Sequence, residues 1–384
     1  MTLFEFLEKK PLYYNEIDYE RMPSAYESIK NRLKIPKIIQ IIGTNGKGST
    51  GRFIADMLLA KGVPVGHYTS PHILKFNERI WLNGKNANDE ILEQAHIDLQ
   101  EILPQKFINS LSYFEYTTFL AVLILSKKCE YIILEAGLGG EYDATSVFPK
   151  ILSVVTPIGH DHHDFLGNSI EEIATTKLNS VAKKVIMSRQ SEKEVYEVAR
   201  KICDKKQAQL YLCEEFLKHG AKEEIKDIVK KYDLPPFQEI NLKTASCVVD
   251  LLGFRVDFPT ISILQGRCQK IAKNITVDVG HNPLAAKELV NFFKDKKVTL
   301  VYNSFINKEY EQILDILMPI IEKIEILPLE NERRVATDEI RKICEEKSIK
   351  VSDFSKIYKK YNYLVFGSFV VVEKFLRIYK KHEK

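Results

Sequence analysis

No CxxC pair occurs among the six cysteines, which stand at positions 129, 203, 213, 247, 268 and 344. That spacing excludes the common zinc-ribbon and thioredoxin-type arrangements and leaves reduced, structural thiols, the usage of a cytosolic protein. Long apolar runs are also missing. The longest, Phe119–Leu125, falls far short of the ~20 residues that cross a bilayer, so no membrane association is expected. The opening stretch MTLFEFLEKK carries acidic residues where a secretion signal needs an unbroken apolar core. An excess of charge of one sign is missing as well, with a net of +4 over 384 residues. The basic doublets Lys127–Lys128, Lys205–Lys206, Lys296–Lys297 and Lys359–Lys360 are scattered, with no stripe of cations and aromatics to fit nucleic acid. These absences point to a cytoplasmic protein whose partners are small molecules, and a monomer is expected.

What is present begins with Gly43–Thr50, GTNGKGST, set between the apolar run Ile38–Ile42 and a helix-compatible stretch that begins near Thr50. A buried strand, a glycine turn and a helix N-terminus together cradle phosphate. Backbone N–H groups point inward, the helix dipole favours anions, and Lys47 reaches the outer phosphates. Ser49 stands where a hydroxyl can meet the accompanying magnesium. The usual phosphate loop has Ser or Thr directly after the lysine. Here Gly48 intervenes, and Ile41 occupies the place of the first glycine. An ordinary glycine turn accounts poorly for the lysine.

Hydrophobic residues at 45% and charged residues at 28% fit an ordinary globular chain, long enough for two domains. Strand-like runs at Ile38–Ile42, Val63–Tyr68, Glu130–Leu134, Ile151–Val155 and Lys184–Met187 alternate with helical patterns at Gly51–Ala60, Phe114–Lys127 and Ser169–Ala182. The alternation resumes beyond Gly266, with strands at Asn274–Asp278, Val298–Tyr302, Ile324–Leu327 and Tyr363–Phe366. The helices there are Leu284–Lys294, Glu309–Leu317 and Asp338–Lys347, the last with Thr337 as N-cap. Such alternation predicts an α/β fold of two parallel sheets. Between the blocks, Lys193–Tyr232 is charged and mostly helical, and an apolar helix follows at Leu242–Leu252. The boundary is placed at residue 264, giving domains 1–264 and 265–384, with Gln265-Gly266-Arg267 as hinge.

Other residues sit where open α/β sheets bind ligands, at the carboxyl ends of strands. Ser70, in Ser70-Pro71-His72, is one candidate magnesium ligand, although Ser-Pro is also a common turn. Glu135, ending an apolar strand ahead of Gly137-Leu138-Gly139-Gly140, is a stronger one, since hard cations prefer carboxylate oxygen. Gly159-His160-Asp161-His162-His163-Asp164 lacks zinc spacing and reads as a second divalent-ion site or a polar loop facing phosphates. Lys177, by residue type alone, reads as a surface lysine. Asp278, ahead of Gly280-His281-Asn282-Pro283, can accept from a ribose hydroxyl, and Arg267 can reach a phosphate.

Taken in order, these motifs resemble the folylpolyglutamate synthase/dihydrofolate synthase family of the Mur ligase group. The resemblance runs through GTNGKGS, Ser70-Pro71-His72 with Glu78-Arg79, Phe114–Thr117, Leu134–Thr145, Asp161–Gly167, the hinge, Asp278–Pro283 and Phe366–Phe369, nearly the whole chain. It implies a Mur-ligase-like phosphate-loop domain that binds ATP and pteroate, followed by a smaller Rossmann-like domain contributing to ATP and glutamate binding. It further implies an ATP- and Mg2+-dependent ligase that phosphorylates a folate-precursor carboxylate and couples the acyl phosphate to L-glutamate, with dihydropteroate, folates or both as acceptor.

By the same resemblance Gly43, Thr44, Asn45, Gly46, Lys47, Gly48 and Ser49 bind phosphates, with Lys47 on the transferred group. Asn241, Arg267, Asp278 and His281 contact ATP. Ser70, Glu135 and His162 bind magnesium. Ser112, Tyr113, Phe114 and Glu115, with Tyr142, Asp143 and Ala144, form the pteroate pocket. Lys177 occupies the place of the family's carbamylated lysine. The chain departs from the family pattern at Thr176–Ser180, where EKAGI is usual, at Glu141, where arginine is usual, and at Gln265, where proline is usual. Two other readings stand beside this one. Another Mur-type ligase needs an added UDP-sugar domain, for which the segment ahead of Gly43 is short. A non-ligating ATP-binding regulator needs no pterin pocket.

Overall fold

A computed structural model describes the chain except for residues 12–17, 161–162, 218, 257–260, 295, 307, 331–333 and 383–384, and the side chains of 163–164, 219–221 and 382. The chain forms two compact units, Met1–Tyr232 with Gln238–Ser262, and Asp233–Phe237 with Ile263–Lys384.

The first unit holds β1 (Lys37–Ile42), β2 (Val65–Tyr68), β3 (Ile80–Leu82), β4 (Lys85–Asn86), β5 (Tyr131–Glu135), β6 (Leu152–Val155), β7 (Lys184–Met187) and β8 (Gln209–Leu212). They pair in the order β4-β3-β2-β5-β1-β6-β7-β8. Pairing is parallel from β2 through β8 and antiparallel at β2–β3–β4. Central strands buried on both faces are apolar almost throughout. Gln40, fully buried in β1, is one exception and is satisfied: Nε2 donates to Thr145 Oγ1 (2.9 Å) and Ser146 Oγ (2.8 Å), and Oε1 accepts from Lys150 Nζ (2.8 Å). Strand β1 lies between β5 and β6, so the chain leaves it at a point where neighbouring connections diverge, the usual place for a ligand crevice.

The second unit holds β9 (Gln269–Ala272), β10 (Ile275–Val277), β11 (Val298–Tyr302), β12 (Ile321–Ile326), β13 (Val351–Asp353) and β14 (Tyr363–Phe366), ordered β13-β12-β11-β14-β10-β9. Only β9–β10 is antiparallel. Each unit has its own apolar packing, around Phe119 and Leu120 and around Val155 and Ile173 in the first and around Leu300 and Phe366 in the second.

Several expectations shift. The phosphate-loop helix begins at Lys47, not near Thr50, and runs to Ala60. The helix expected at Leu242–Leu252 is Pro236–Leu251, because proline suits a first helical turn, where its missing N–H costs nothing. Ala336 occupies the N-cap position assigned to Thr337, and no side chain caps that helix. The sheets are mixed rather than purely parallel. Strand β8 lies inside the stretch read as mostly helical, after Gln207 ends the helix Lys193–Lys206 in a left-handed conformation.

Candidate functional site

The turn after β1 requires its glycines. Gly43 has φ +143°, and a Cβ there would lie 2.1 Å from Thr156 Oγ1; Gly46 has φ +84°, and a Cβ would lie 2.3 Å from Asn241 Oδ1. Only glycine takes such backbone at such close approach. Thr44 N and Asn45 N donate to Pro157 O at 2.9 and 3.2 Å, and Thr44 Oγ1 both donates to Gly159 O and accepts from Gly159 N. The loop is thereby pinned to the segment leaving β6. The helix that starts at Lys47 has first-turn N–H groups, at Gly48 and Ser49 among others, without carbonyls to meet inside it.

Two ammonium groups converge on one carbonyl. Lys47 Nζ donates to Gly43 O (3.1 Å) and Thr44 O (3.2 Å), and Lys177 Nζ donates to the same Gly43 O (3.2 Å). Lys177 is only 4% exposed, so its reading as a surface lysine was wrong. Like charges brought this close oppose one another unless an anion joins them. Beside them Ser49, buried, accepts from Gln238 Nε2 (3.3 Å), and Gln238 Oε1 accepts from Asn241 Nδ2 (3.2 Å). Gln238 was missed; its three-residue spacing from Asn241 on one helix was the available signal.

Glu135 ends β5 opposite Ile41 of β1. It is buried, and its Oε2 accepts from Thr69 Oγ1 and from Ser70 N (3.2 Å). One carboxylate edge is thus fixed, and among the described residues no protein donor meets Oε1. The held carboxylate and the hydroxyl of Ser70, whose own backbone N–H binds that carboxylate, are hard-oxygen donors of the kind that fits Mg2+. His162 and Asp161 lie outside the described residues. His160 is exposed, and among the described residues no cluster of three or more His, Cys, Asp or Glu side chains forms a metal site.

An aromatic wall borders this region. Phe114 stacks on Tyr68 with ring centres 6.0 Å apart, and the Tyr68 hydroxyl meets Thr117 Oγ1 (3.1 Å) and Thr118 Oγ1 (3.3 Å). Ser112 caps the helix Tyr113–Ser126, with Glu115 completing the reciprocal pair. Glu115 also accepts from Arg21, whose Nε donates to Oε2 (2.9 Å) and Oε1 (3.2 Å) and whose Nη2 donates to Oε1 (3.1 Å). Asp143 accepts from Gly137 N (2.8 Å), Leu138 N (2.9 Å), Thr145 N (2.9 Å) and Thr145 Oγ1 (2.6 Å), and burial pushes its carboxyl up. It therefore shapes the Gly137–Gly140 loop. Ala144 is buried, and exposed Tyr142 packs on Tyr19 with centres 4.2 Å apart. Glu141 accepts from Asn179 Nδ2 (2.7 Å). Arg79 Nε donates to His72 Nδ1 (2.8 Å), and burial, then that guanidinium, pushes His72 down to about 4.

In the second unit Asp278 is buried after β10. Oδ2 accepts from Cys268 N and Oδ1 from Gly280 N, both at 2.7 Å, and burial raises its carboxyl. Arg267 lies over the Phe369 ring at 4.8 Å. His281 Nδ1 is 3.1 Å from Val279 O, and Asn282 caps the helix Pro283–Phe293.

A glycine loop with paired lysines at a parallel-sheet crevice, beside a fixed carboxylate, defines a phosphate-handling α/β enzyme of the Mur ligase type; the Mur ligase middle domain profile matches residues 41–224. The chain is 31% identical to the dihydrofolate synthase/folylpolyglutamate synthase of Haemophilus influenzae, over 87% of this chain and 84% of that one. It is similar to a crystal structure of Helicobacter pylori folylpolyglutamate synthetase (37% identity, TM-score 0.79, 99% and 98% of the two chains). It is also similar to the bifunctional folylpolyglutamate synthase/dihydrofolate synthase of Yersinia pestis complexed with AMPPNP and Mn ion (25%, TM-score 0.80, 98% and 97%). The chain belongs to the dihydrofolate synthase/folylpolyglutamate synthase family. It is thus an ATP-dependent ligase of the Mur type.

Proposed function

We propose that this ligase adds L-glutamate both to dihydropteroate and to folates. A carboxylate oxygen of the acceptor attacks the γ-phosphorus of ATP, the bond to the bridging oxygen breaks, and ADP leaves. The glutamate amine then attacks the acyl carbon, loses a proton, and expels inorganic phosphate as the amide forms. The observation that carries the reading is the convergence of Lys47 and Lys177 on Gly43 O at the phosphate loop. In it the Gly43–Ser49 backbone receives the phosphates. Lys47 follows the charge of the transferred group, while Gln238 and Asn241 hold the loop and Ser49 in place. Glu135 and Ser70, with His162, would hold magnesium, which neutralises phosphate charge as the phosphoryl group moves.

Tyr113 and Phe114 would face the pterin ring, whereas Ser112, Glu115 and Asp143 support that wall through the hydrogen bonds described. Tyr142 and Ala144 belong to its edge. Asp278, Arg267 and His281 are the second unit's share in ATP binding, and glutamate binding is assigned to that unit as well. Six free cysteines suit a reducing cytoplasm, and the protein acts there as a monomer on small molecules, without nucleic acid.

The test is ADP release with ATP, Mg2+ and L-glutamate. Release with dihydropteroate and with tetrahydrofolate is expected. Release with one alone restricts the activity to that branch, and release independent of acceptor and glutamate overturns the ligase reading. A second expectation concerns the wall. A Cβ at Gly137 would lie 2.6 Å from Phe114 Cζ, so Gly137→Ala must push that ring aside. Acceptor KM should rise about tenfold while ATP KM holds; equal KM values would remove Phe114 from the acceptor site.

A further inference from the structure

Glu78-Arg79 is a motif without a role so far, and its surroundings are unusual. Glu78 accepts from three successive N–H groups, Ile73 (2.8 Å), Leu74 (3.0 Å) and Lys75 (2.8 Å), and Arg79 O accepts from Thr69 N (2.9 Å). The two residues thus fasten both ends of the loop that carries Ser70 and His72. Arg79 is 7% exposed, yet among the described residues no carboxylate pairs with it. Its guanidinium instead lies over Tyr113 (5.2 Å) and Phe76 (5.8 Å), with Nε donating to His72 Nδ1 (2.8 Å). A buried cation without a counter-charge is costly.

An arginine never gives up its proton in a protein. The 2.8 Å bond therefore makes Nδ1 of His72 the acceptor and places the ring proton on Nε2. Among the described residues nothing accepts from Nε2. The imidazole is half-buried and packs edge-on to Phe76, which in turn meets Tyr113 (centres 6.1 and 6.4 Å). The other histidine–arginine pair differs: His67 is fully enclosed, with Arg52 stacked on Trp81, and is part of the packing.

We propose that His72 Nε2–H donates to a carboxylate oxygen of the acceptor, and that Arg79 is the positioning residue that fixes this tautomer and supplies the positive background. An uncompensated guanidinium one ring away favours an anionic oxygen over a neutral one. A carboxylate held there lies on the same short loop as Ser70, on the way to the phosphates. The inference rests on the acceptor assignment proposed above.

The test is calorimetric binding of dihydropteroate and of its carboxamide, without ATP, to the full-length protein. Wild type should prefer the carboxylate by about tenfold or more. His72→Leu should lose that preference while keeping residual binding to both ligands, and His72→Gln, which restores an N–H near the Nε2 position, should recover most of it. Arg79→Met should lose it as well, with ATP affinity unchanged; the half-exposed His72 variants decide the matter if Arg79→Met does not fold. A preference that persists in His72→Leu overturns the inference and leaves the ligase reading intact. No binding of either ligand to wild type overturns the inference together with the acceptor assignment for dihydropteroate.

Discussion

Lys47→Ala lowers the ligation rate by about 10²–10³-fold while thermal unfolding shifts by no more than a few degrees. The size follows from where the charge grows. Phosphoryl transfer develops negative charge on the equatorial and bridging oxygens, and a cation that follows the moving group stabilises the transition state more than bound ATP. The turnover number should fall further than ATP affinity. Stability is little affected because Lys47 is only partly buried and its ammonium bonds two loop carbonyls, Gly43 O and Thr44 O, that water can serve instead. The measurement is steady-state ADP release beside a melting curve on the same preparation. A variant that turns over normally would remove the phosphate-loop assignment, and one that is slow only because it is unfolded would show that in the melting curve.

Local chemistry decided what could be read in advance. The phosphate loop was legible because the glycines, the lysine and the apolar strand ahead of them are contiguous, and Glu135 because a buried strand ending in carboxylate has few bland explanations. The doubly bonded cap of the helix Tyr113–Ser126 was also local, since Ser112 and Glu115 have the S-x-x-E spacing of a capping box. Lys177 is different in kind. Its spacing from Ile170 and Ile173 puts it on the buried face of its helix, but only the packing of that helix against the phosphate loop shows what its ammonium meets. Gln238 has a local signal in its spacing from Asn241, but its partner Ser49 is remote in sequence, and the missing counter-charge of Arg79 is a property of the folded surroundings. Edge strands such as β4, which is exposed, and β9, which is mostly half-buried, are short, so their patterns carry little periodicity.

Lys177→Ala slows the reaction by about 10²-fold, and added acetate restores part of the loss. As an unmodified ammonium, Lys177 lies 3.2 Å from the carbonyl that also receives Lys47. Two cations at that point suit the triphosphate but work against a divalent metal, which must share the space. Reaction of the uncharged amine with CO₂ forms an N–C bond and releases a proton, turning the cation into a carbamate with two acceptor oxygens. One positive charge becomes one negative charge, and hard oxygens of this kind are what magnesium prefers. Burial at 4% exposure would protect the adduct from water, and the narrow space would admit a small carboxylate once the side chain is cut back. Acetate then supplies the lost oxygens without the tether, so recovery should saturate with concentration and should not occur in the wild type. A chloride control at equal ionic strength separates this from screening. Mass spectrometry loses so labile a group, so ¹³C NMR with labelled bicarbonate is the direct check, and a carbamate resonance absent from the Ala variant is expected. A variant as fast as wild type would return Lys177 to packing alone. A slow variant indifferent to acetate, with no resonance in wild type, would mean that the lysine acts as the ammonium seen beside Gly43, holding the loop and its phosphates.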